Sequence, residues 1–418
     1  MVASRKAITI DSGSGPDLKN PDLYTDKNFH RVFSQLRAEH PAYWNPEADS
    51  TGFWAISRYR DVEAVLQDSE TFSAAMARGG MRIFNIQDVN GPRSKPHLLS
   101  LDPPTHTQLR HALMPLFSAE RIAEMESIIY PCITKLIDRV APLGKMEFVA
   151  SIAAPLTVST LVELMDVPSS DTEQLLRWSN ALIGEDDNEI SLESRAKCVA
   201  EIDAYAARLF SERLGSGRQD FISLLANAKI DGRCIDFESF STNLAMFIVA
   251  GGETTRHAIS AGMLAFIESP EELAKLRADP LLINSAVKEV IRWTTPLMHV
   301  RRTATRDVEI GGQTIKEGDK VVVWYTSANR DQERWTEPDN FDVSRFSEKN
   351  AAPHLAFGAG PHHCLGWRLA ELQLKAALQE LLRRLASLRV VCPAQRLRSN
   401  FIAGIKEMHV SFTPERII

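Results

Sequence analysis

The stretch Phe357–Gly366 reads FGAGPHHCLG and places two histidines and a cysteine among three glycines. Apolar residues then recur at helical spacing from Leu365 to about Leu385, which predicts a helix. Cys364 therefore lies directly before a predicted helix N-terminus, where unpaired amides and the helix dipole favour negative charge. Both effects lower the pKa of a thiol, so the pattern favours a thiolate at Cys364.

Residue chemistry alone leaves several kinds of site open for this cysteine. Zinc needs four ligands in a tetrahedral array, and the adjacent residues His362, His363 and Cys364 cannot easily all turn towards one ion. A nucleophilic cysteine needs a base within reach, which either histidine could supply. A free cysteine is also commonly an inert buried side chain. A thiolate ligand of a metal other than zinc is the further possibility.

The composition is that of an ordinary globular protein of enzyme size. The chain has 418 residues, of which 44% are hydrophobic and 24% are charged, with a net charge of −6. A mildly acidic chain binds nucleic acid poorly, and the N-terminus has no apolar run typical of a signal peptide or membrane anchor. We therefore expect a cytoplasmic protein that binds no nucleic acid and has no membrane anchor. Its five cysteines form no CxxC pair, which argues against a disulfide framework.

Helical periodicity dominates the chain from residue 105 to about residue 292. Strand patterns occur at 53–56 and 307–327, while residues 74–100 show no clean periodicity. We predict a loose arm at 1–20 and one domain at 21–418, mainly α with a small β portion. Helices are predicted at 60–66, from 105 onwards, and at 120–140, 154–166, 171–184, 192–213, 238–267, 271–277 and 365–385.

The segment 238–267 predicts a long apolar helix through the middle of the protein. Gly251 and Gly252 lie within it, where each glycine costs about 1 kcal/mol relative to alanine. A gap in the helix, or a flat ligand against its backbone, would offset that cost. Glu253 and Thr254 follow, and a carboxylate beside an alcohol can hand protons to a bound group. A buried helix with small residues for packing explains the same residues.

Two motifs together resemble the cytochrome P-450 haem-thiolate monooxygenases. AGGETT at 250–255 is similar to the family's A/G-G-x-D/E-T-T/S, and the cysteine stretch is similar to F-x-x-G-x-H/R-x-C-x-G. The matching residues of the second motif are Phe357, Gly360, His362, Cys364 and Gly366. The resemblance extends from about residue 50 to the C-terminus. It implies the cytochrome P-450 fold, haem b as cofactor and Cys364 as the axial ligand of the haem iron.

The resemblance also implies roles for residues near the haem. Glu253 and Thr254 would deliver protons during oxygen activation, and cationic side chains would bind the two haem propionates. The implied haem contacts are His106, Arg110, Arg302, His362, Phe357, Gly358, Gly366, Ala250 and Gly251. Arg301 is the immediate rival of Arg302 for a propionate, and His363 has no implied role.

Glu289 and Arg292 form an ExxR pair at i,i+3 on one predicted helix. Such a pair alone is usually solvated surface. In the family that the chain resembles, an ExxR pair locks the loop beneath the haem. The resemblance therefore implies a structural role, not a catalytic one, for both residues.

The resemblance implies an apolar substrate pocket built from residues 74–98, the start of the long helix, 295–300 and 401–405. The candidate lining residues are Asn243, Leu244, Met246, Phe247, Thr295, Leu297, Met298, His299 and Ile402. Asn243 and His299 could orient a hydroxyl or carbonyl group. The implied substrate is a terpenoid, a steroid or an alkyl chain.

The chain has no dinucleotide-binding GxGxxG pattern and no iron–sulfur cysteine cluster. Electrons are therefore expected from a separate ferredoxin and its NAD(P)H-dependent reductase, docking near Cys364 and Arg368. The expected function is insertion of one oxygen atom from O2 into a hydrophobic small molecule by a monomeric enzyme. Desaturation, coupling or cyclisation by the same haem chemistry remain alternatives, as do a peroxide-driven enzyme and a haem-binding sensor without turnover.

Overall fold

The computed structural model describes residues 15–26, 28–48, 50–83, 96–183, 191–348 and 351–415. Helices carry most of this structure, and short strands make up a smaller part, as predicted. The helices are α1 Phe29–Glu39, α2 Tyr59–Gln67, α3 Thr105–Leu113, α4 Ala119–Val140, α5 Ala154–Met165, α6 Thr172–Ile183, α7 Leu192–Arg213, α8 Phe221–Ala226, α9 Phe237–Glu268, α10 Pro270–Ala278, α11 Ile283–Thr294, α12 Tyr325–Ala328 and α13 Trp367–Arg384.

The strands are β1 Ala42–Glu47, β2 Ser50–Ile56, β3 Phe72–Ser73, β4 Lys145–Glu147, β5 Lys229–Ile230, β6 Arg233–Cys234, β7 His299–Ala304, β8 Val308–Ile310, β9 Gln313–Ile315, β10 Lys320–Trp324, β11 Ala386–Val390, β12 Gln395–Arg396, β13 Ile405–Glu407 and β14 His409–Thr413. The largest described sheet has the order β1-β2-β10-β7-β3. β10 pairs parallel to β2 and antiparallel to β7. The sequence did not predict β7, because its six buried residues show no polar–apolar alternation.

The helix α9 is the element against which most of the other helices pack. It has 32 residues, and the side chain of Asp236 caps it by accepting the N–H of Ser239. Helices α5, α6, α7, α11 and α13 all contact it. Because these neighbours surround α9, its sequence is apolar around most of its circumference. The predicted helix at 238–267 is therefore confirmed. No helix in the described part of the chain has both the length and the apolar character needed to cross a bilayer.

Residues 15–20 differ from the loose arm that the sequence predicts. Leu18 is fully buried in a cluster with apolar residues of α1 and β10. Its N–H donates to Oδ1 of Asn45 at 2.8 Å, and Nδ2 of Asn400 donates to the Lys19 carbonyl at 2.6 Å. One buried leucine and these hydrogen bonds fasten the segment to the domain. The rest of the predicted arm, residues 1–14, lies outside the described ranges.

A buried ion pair, here called the clasp, joins Glu289 and Arg292 of α11. Nε and Nη2 of Arg292 donate to the two carboxylate oxygens at 2.7 and 2.8 Å, and both side chains are 0% exposed. Arg345 also donates to Glu289, at 3.1 Å. The remaining N–H groups of Arg292 donate to the carbonyls of Asn329, Pro338 and Asn340. The pair thus ties α11 to the segment 329–345, and it is not a solvated surface pair.

The side chain of Asn329 extends the clasp to the cysteine loop, defined as residues 355–366. Its Oδ1 accepts the N–H of Leu355 at 2.8 Å, and its Nδ2 donates to Oγ1 of Thr295 at 2.9 Å. The Leu355 carbonyl in turn accepts the N–H of Gly358, at 2.8 Å. A continuous set of hydrogen bonds therefore runs from α11 to the loop that carries Cys364.

We expect Glu289→Ala to destabilise the protein by about 3–5 kcal/mol, because it leaves the Arg292 guanidinium buried without its counter-charge. The control is Glu380→Ala on α13, since Glu380 also pairs at i,i+3, with Arg383, which is largely exposed. That change should cost about 0–1 kcal/mol. Urea unfolding of both variants measures the difference. Equal losses for the two variants would show that burial of the clasp is not what stabilises the fold.

Candidate functional site

A cavity of about 1660 Å³, partly open to solvent, lies between α9 and α13. Residues of α3, α5, β7 and the cysteine loop complete its walls. The cavity wall therefore brings together residues of helices, a strand and a loop that are far apart in the sequence.

Cys364 lies at the wall of this cavity, on a loop whose shape requires glycine. Gly358 and Gly360 have φ values of +71° and +65°, in the left-handed region that glycine tolerates. A Cβ atom on Gly360 would lie 2.4 Å from the carbonyl oxygen of Leu66, so a side chain there would collide with the end of α2. The N–H of Cys364 donates to the Phe357 carbonyl at 2.8 Å, which closes the loop.

The helix end acts on Cys364 in the predicted direction, but burial outweighs it. The helix α13 begins at Trp367 with Gly366 as its N-cap, two residues later than predicted. The Gly366 backbone and the Arg110 guanidinium each lower the pKa of the Cys364 thiol, whereas burial raises it and is the larger effect. The sequence pattern placed Cys364 before the helix but could not show the effect of burial.

Four of the predicted haem contacts come together at one end of the cavity, here called the basic end: His106, Arg110, Arg302 and His362. The rings of His106 and His362 stack with centroids 4.1 Å apart, and neither ring makes a well-formed hydrogen bond. Burial, followed by the nearby arginines, lowers the pKa of His106 to about 4 and that of His362 to about 2. Buried polar groups without partners and two guanidinium groups suit an anionic ligand.

The structure distinguishes Arg302 from its rival Arg301. Side chains alternate along a strand, and on β7 Val300 and Arg302 face the cavity while His299 and Arg301 face away. The Arg301 guanidinium donates to the carbonyl of Arg78 at 3.0 Å. Arg302 donates to the Arg301 carbonyl at 2.8 Å, and its side chain remains at the cavity wall.

The other predicted haem contacts also line the cavity: Phe357, Gly358, Gly366, Ala250 and Gly251. His363, which had no expected role, lines it too, and its ring lies between those of Phe357 and Trp367, with centroids 6.2 Å from each. Across the described ranges, no three or more His, Cys, Asp and Glu side chains are grouped as metal ligands. A zinc-type site built from His362, His363 and Cys364 finds no support in this geometry.

Tyr325 and Gln373 are among the polar residues of the cavity wall that sequence reasoning missed. A Cβ atom on Gly358 would lie 3.3 Å from the Tyr325 hydroxyl, and burial raises the pKa of this phenol to about 12. Oε1 of Gln373 is buried on α13 without a hydrogen-bond partner. Helical spacing places Gln373 one turn after Leu369, on the apolar face of the predicted helix. A polar residue on that face is the feature of the sequence that could have identified Gln373.

Glu253 and Thr254 face different surroundings, although the sequence suggested that they act side by side. Thr254 lines the cavity, and its Oγ1 donates to the Ala250 carbonyl at 3.1 Å. Glu253 does not line the cavity: its Oε1 accepts a hydrogen bond of 2.7 Å from Ser179 of α6. Consecutive residues of a helix point about 100° apart, and here that rotation directs Glu253 towards α6 and Thr254 towards the cavity.

Four of the predicted pocket residues line the cavity: Asn243, Met246, Phe247 and Leu297. Asn243 is not free to orient a ligand, because its Oδ1 accepts the Leu98 N–H and its Nδ2 donates to the Ser239 carbonyl, each at 2.8 Å. Part of the predicted segment 74–98, residues 84–95, lies outside the described ranges. With Met246, Phe247 and Leu297 in it, the described cavity wall near Thr254 is mostly apolar.

Five predicted pocket residues do not line the cavity: Leu244, Thr295, Met298, His299 and Ile402. Leu244 lies off the cavity-facing stripe of α9 and packs in the helical core. The Thr295 hydroxyl donates to the Arg292 carbonyl at 2.7 Å. Strand-like alternation after Leu297 turns Met298 into the apolar cluster beside Trp324.

His299 lies off the cavity wall because side chains alternate along β7, and it lines a separate crevice that also includes Arg82 and Asn400. Ile402 forms an isolated antiparallel bridge with Leu297 and packs in the core beside the sheet. Other residues of the predicted segment 295–300 do line the cavity, whereas no residue of 401–405 does.

Comparison with known proteins gives one consistent family. The sequence profile described as Cytochrome P-450 matches residues 189–390. The linalool 8-monooxygenase of Pseudomonas putida is 40% identical over 408 residues, which cover 96% of this chain and 99% of that protein. A steroid C26-monooxygenase of Rhodococcus jostii is 32% identical, over 95% of this chain and 85% of that protein.

Solved structures agree with these sequence relatives. A Mycobacterium marinum cytochrome P-450 in complex with pseudoionone superposes with a TM-score of 0.87 and 31% identity, covering 98% of this chain and all of that one. A cytochrome P-450 of Novosphingobium aromaticivorans gives a TM-score of 0.84 and 31% identity, with 95% and 99% of the two chains covered.

Proposed function

The chain belongs to the cytochrome P-450 family, and on that premise we propose that Cys364 is the axial ligand of haem b in a monooxygenase that oxidises terpenoids. The observation that carries the proposal is the position of the thiol. It lies at the wall of a large cavity that also contains a basic end and an apolar region beside Thr254. As a family member, the protein is a haem-dependent oxidoreductase.

The described residues fit an iron porphyrin. A porphyrin with two carboxylates needs apolar walls, a basic end and an axial ligand, and the described lining includes residues suited to each. Gly251 of α9 meets Leu161 of α5 at this wall, since a Cβ atom on Gly251 would lie 3.3 Å from Cδ1 of Leu161. The two arginines and the unpartnered imidazoles of the basic end would hold the carboxylates.

When bound through a thiolate, haem iron activates O2, and this chemistry inserts one oxygen atom into the substrate. The residues of the chain hold the reactants and the protons. Thr254 presents a hydroxyl at the cavity wall, and Glu253 is its neighbouring acid. We propose that Glu253 supplies protons to the Thr254 side after its carboxylate turns away from α6, since a carboxyl near a hydroxyl is a suitable proton donor.

The apolar part of the cavity supports a hydrophobic substrate. The described residues that line it include Met81, Leu98, Met246, Phe247 and Leu297. Outside the basic end and the adjacent His363, the only ionisable side chains in the described lining are Cys364 and Tyr325. A relative at 40% identity is named for its action on linalool, so a terpenoid of similar size is favoured over a steroid.

Electrons are proposed to come from a separate ferredoxin with an NAD(P)H-dependent reductase. Arg368 follows the cysteine loop, is exposed, and its guanidinium lies 4.6 Å from the centre of the Trp367 ring. An exposed arginine near the buried thiol supports docking of an acidic electron carrier at this face.

We expect Arg302→Gln to speed the loss of haem to a competing apoprotein by roughly 10- to 100-fold, the worth of a hydrogen bond to a charged group. Arg301→Gln is the matched control, because Arg301 is the adjacent buried arginine on the opposite face of β7. It should leave haem loss nearly unchanged. If Arg301→Gln released haem faster than Arg302→Gln, the assignment of the propionate site would be wrong.

A titration with linalool, a steroid and a fatty acid tests the substrate class. Displacement of water by a fitting ligand changes the spin state of haem iron, and we expect the largest change and the tightest binding with linalool. The same panel should then be incubated with a ferredoxin, its reductase and NADH under ¹⁸O2, with product analysis by mass spectrometry. Oxidation of the steroid alone, or products without ¹⁸O, would contradict the proposal.

A further inference from the structure

Three side chains hold the Glu253 carboxylate on the side of α9 that faces away from the cavity. Ser179 of α6 donates to Oε1 at 2.7 Å, and Arg256 forms an ion pair with Oε2. Nε2 of His257 lies 3.3 Å from Oε2, close enough for electrostatic attraction but without the alignment of a well-formed hydrogen bond. The side chains of Glu253 and His257 are each 1% exposed, so this contact is made away from water.

The three partners differ in what they can do with a proton. Arginine keeps its proton at any physiological pH, and a serine hydroxyl is neutral throughout. Histidine alone among them changes its protonation state near neutral pH. His257 is also the only one of the three whose ring nitrogen facing Glu253 can carry either a proton or a lone pair, according to the tautomer.

The fold provides a fitted slot for the His257 ring. A Cβ atom on Gly404 would lie within 2.8–3.0 Å of three ring atoms, so a side chain at that position would displace the imidazole. The backbone of Ile405 also faces the ring, and burial lowers the pKa of His257, which keeps the imidazole neutral. A neutral imidazole has one N–H to donate, and Glu253 is the anion beside it.

We propose that His257 is a positioning residue for Glu253: in its Nε2–H tautomer, the ring attracts the carboxylate towards α6 and thereby limits proton supply to the Thr254 side of α9. The proposal rests on the proposed function, in which Glu253 supplies those protons. The groups that face the pair are Ser179 from α6, Arg256 from α9 and the backbone of Gly404 and Ile405.

The direction of the expected change in the Glu253 pKa follows from the contact between His257 and the carboxylate. Arg256, His257 and Ser179 together hold the pKa of Glu253 below its usual value, against the opposing effect of burial. A donor to a carboxylate stabilises the charged form, so removing the His257 donor raises the pKa of Glu253. A proton then stays on Glu253 at higher pH.

The test compares His257→Phe, which removes the donor, with His257→Gln, which restores an N–H. In the haem-loaded protein with ferredoxin and reductase, the peroxide released per NADH is measured against pH. With His257→Phe, the midpoint of this profile should move up by about one pH unit, the worth of roughly one hydrogen bond to a charged group. His257→Gln should return it towards wild type.

Ser260→Ala is the matched control, because Ser260 is fully buried on the same helix and its hydroxyl donates to the Arg256 carbonyl at 2.9 Å. It should leave the midpoint in place. A midpoint that His257→Phe does not move, or that Ser260→Ala moves equally, overturns the positioning role.

A second measurement does not depend on turnover. Nitrogen-15 spectra of the His257 ring in the reduced, carbon monoxide-bound wild-type protein should show the neutral Nε2–H tautomer from about pH 6 to pH 8. An imidazolium or the Nδ1–H tautomer overturns the proposal, even if His257→Phe fails to fold.

Thr254→Ala distinguishes a failure of the proposed proton route from a failure of the positioning role of His257. If this variant couples NADH use to product as wild type does, the proposed proton route fails, and the positioning role fails with it. If Thr254→Ala releases peroxide while His257→Phe leaves the pH midpoint unchanged, only the role of His257 is wrong.

Discussion

The hydrogen bonds that fix the cysteine loop are the constraint on which the rest of the site depends. The loop turns through two left-handed glycines, and Asn329 holds its start through the N–H of Leu355. Asn329 is itself held by Arg292, whose charge Glu289 balances. Without this sequence of contacts, the Cys364 thiol would not be held at the cavity wall, because the loop's own regular structure is limited to one 3-10 turn, Gly360–His362.

The position of the Cys364 thiol determines how charge is distributed in the cavity. The thiol is buried and its pKa is raised, while the basic end concentrates two guanidinium groups and two neutral imidazoles without well-formed hydrogen bonds. Burying this many polar groups without hydrogen-bond partners lowers the stability of the folded protein. A dianionic cofactor with one metal centre would satisfy both ends at once, which is why the haem-thiolate assignment accounts for residues that are far apart in sequence.

Local sequence patterns predicted the elements better than the faces those elements present. The helix α9 and most of its neighbours follow from apolar spacing, and the family motifs place Cys364, Arg302 and Thr254 at the cavity. The same reasoning failed for Met298 and His299, because a fully buried strand shows no alternation from which to read its faces. It also failed for the environment of Glu253: Ser179 lies 74 residues away in the chain. Such a contact forms only in the folded structure.

The reduced, carbon monoxide-bound absorption spectrum tests the central claim most directly, since its Soret position depends on the axial ligand of the iron. The wild-type protein and Cys132→Ser, which changes a half-buried cysteine elsewhere, should both show the long-wavelength band of a thiolate-ligated haem. Cys364→Ser should bind haem at the same basic end but lose that band. A wild-type protein without the band, or a Cys364→Ser protein that keeps it, would contradict the account.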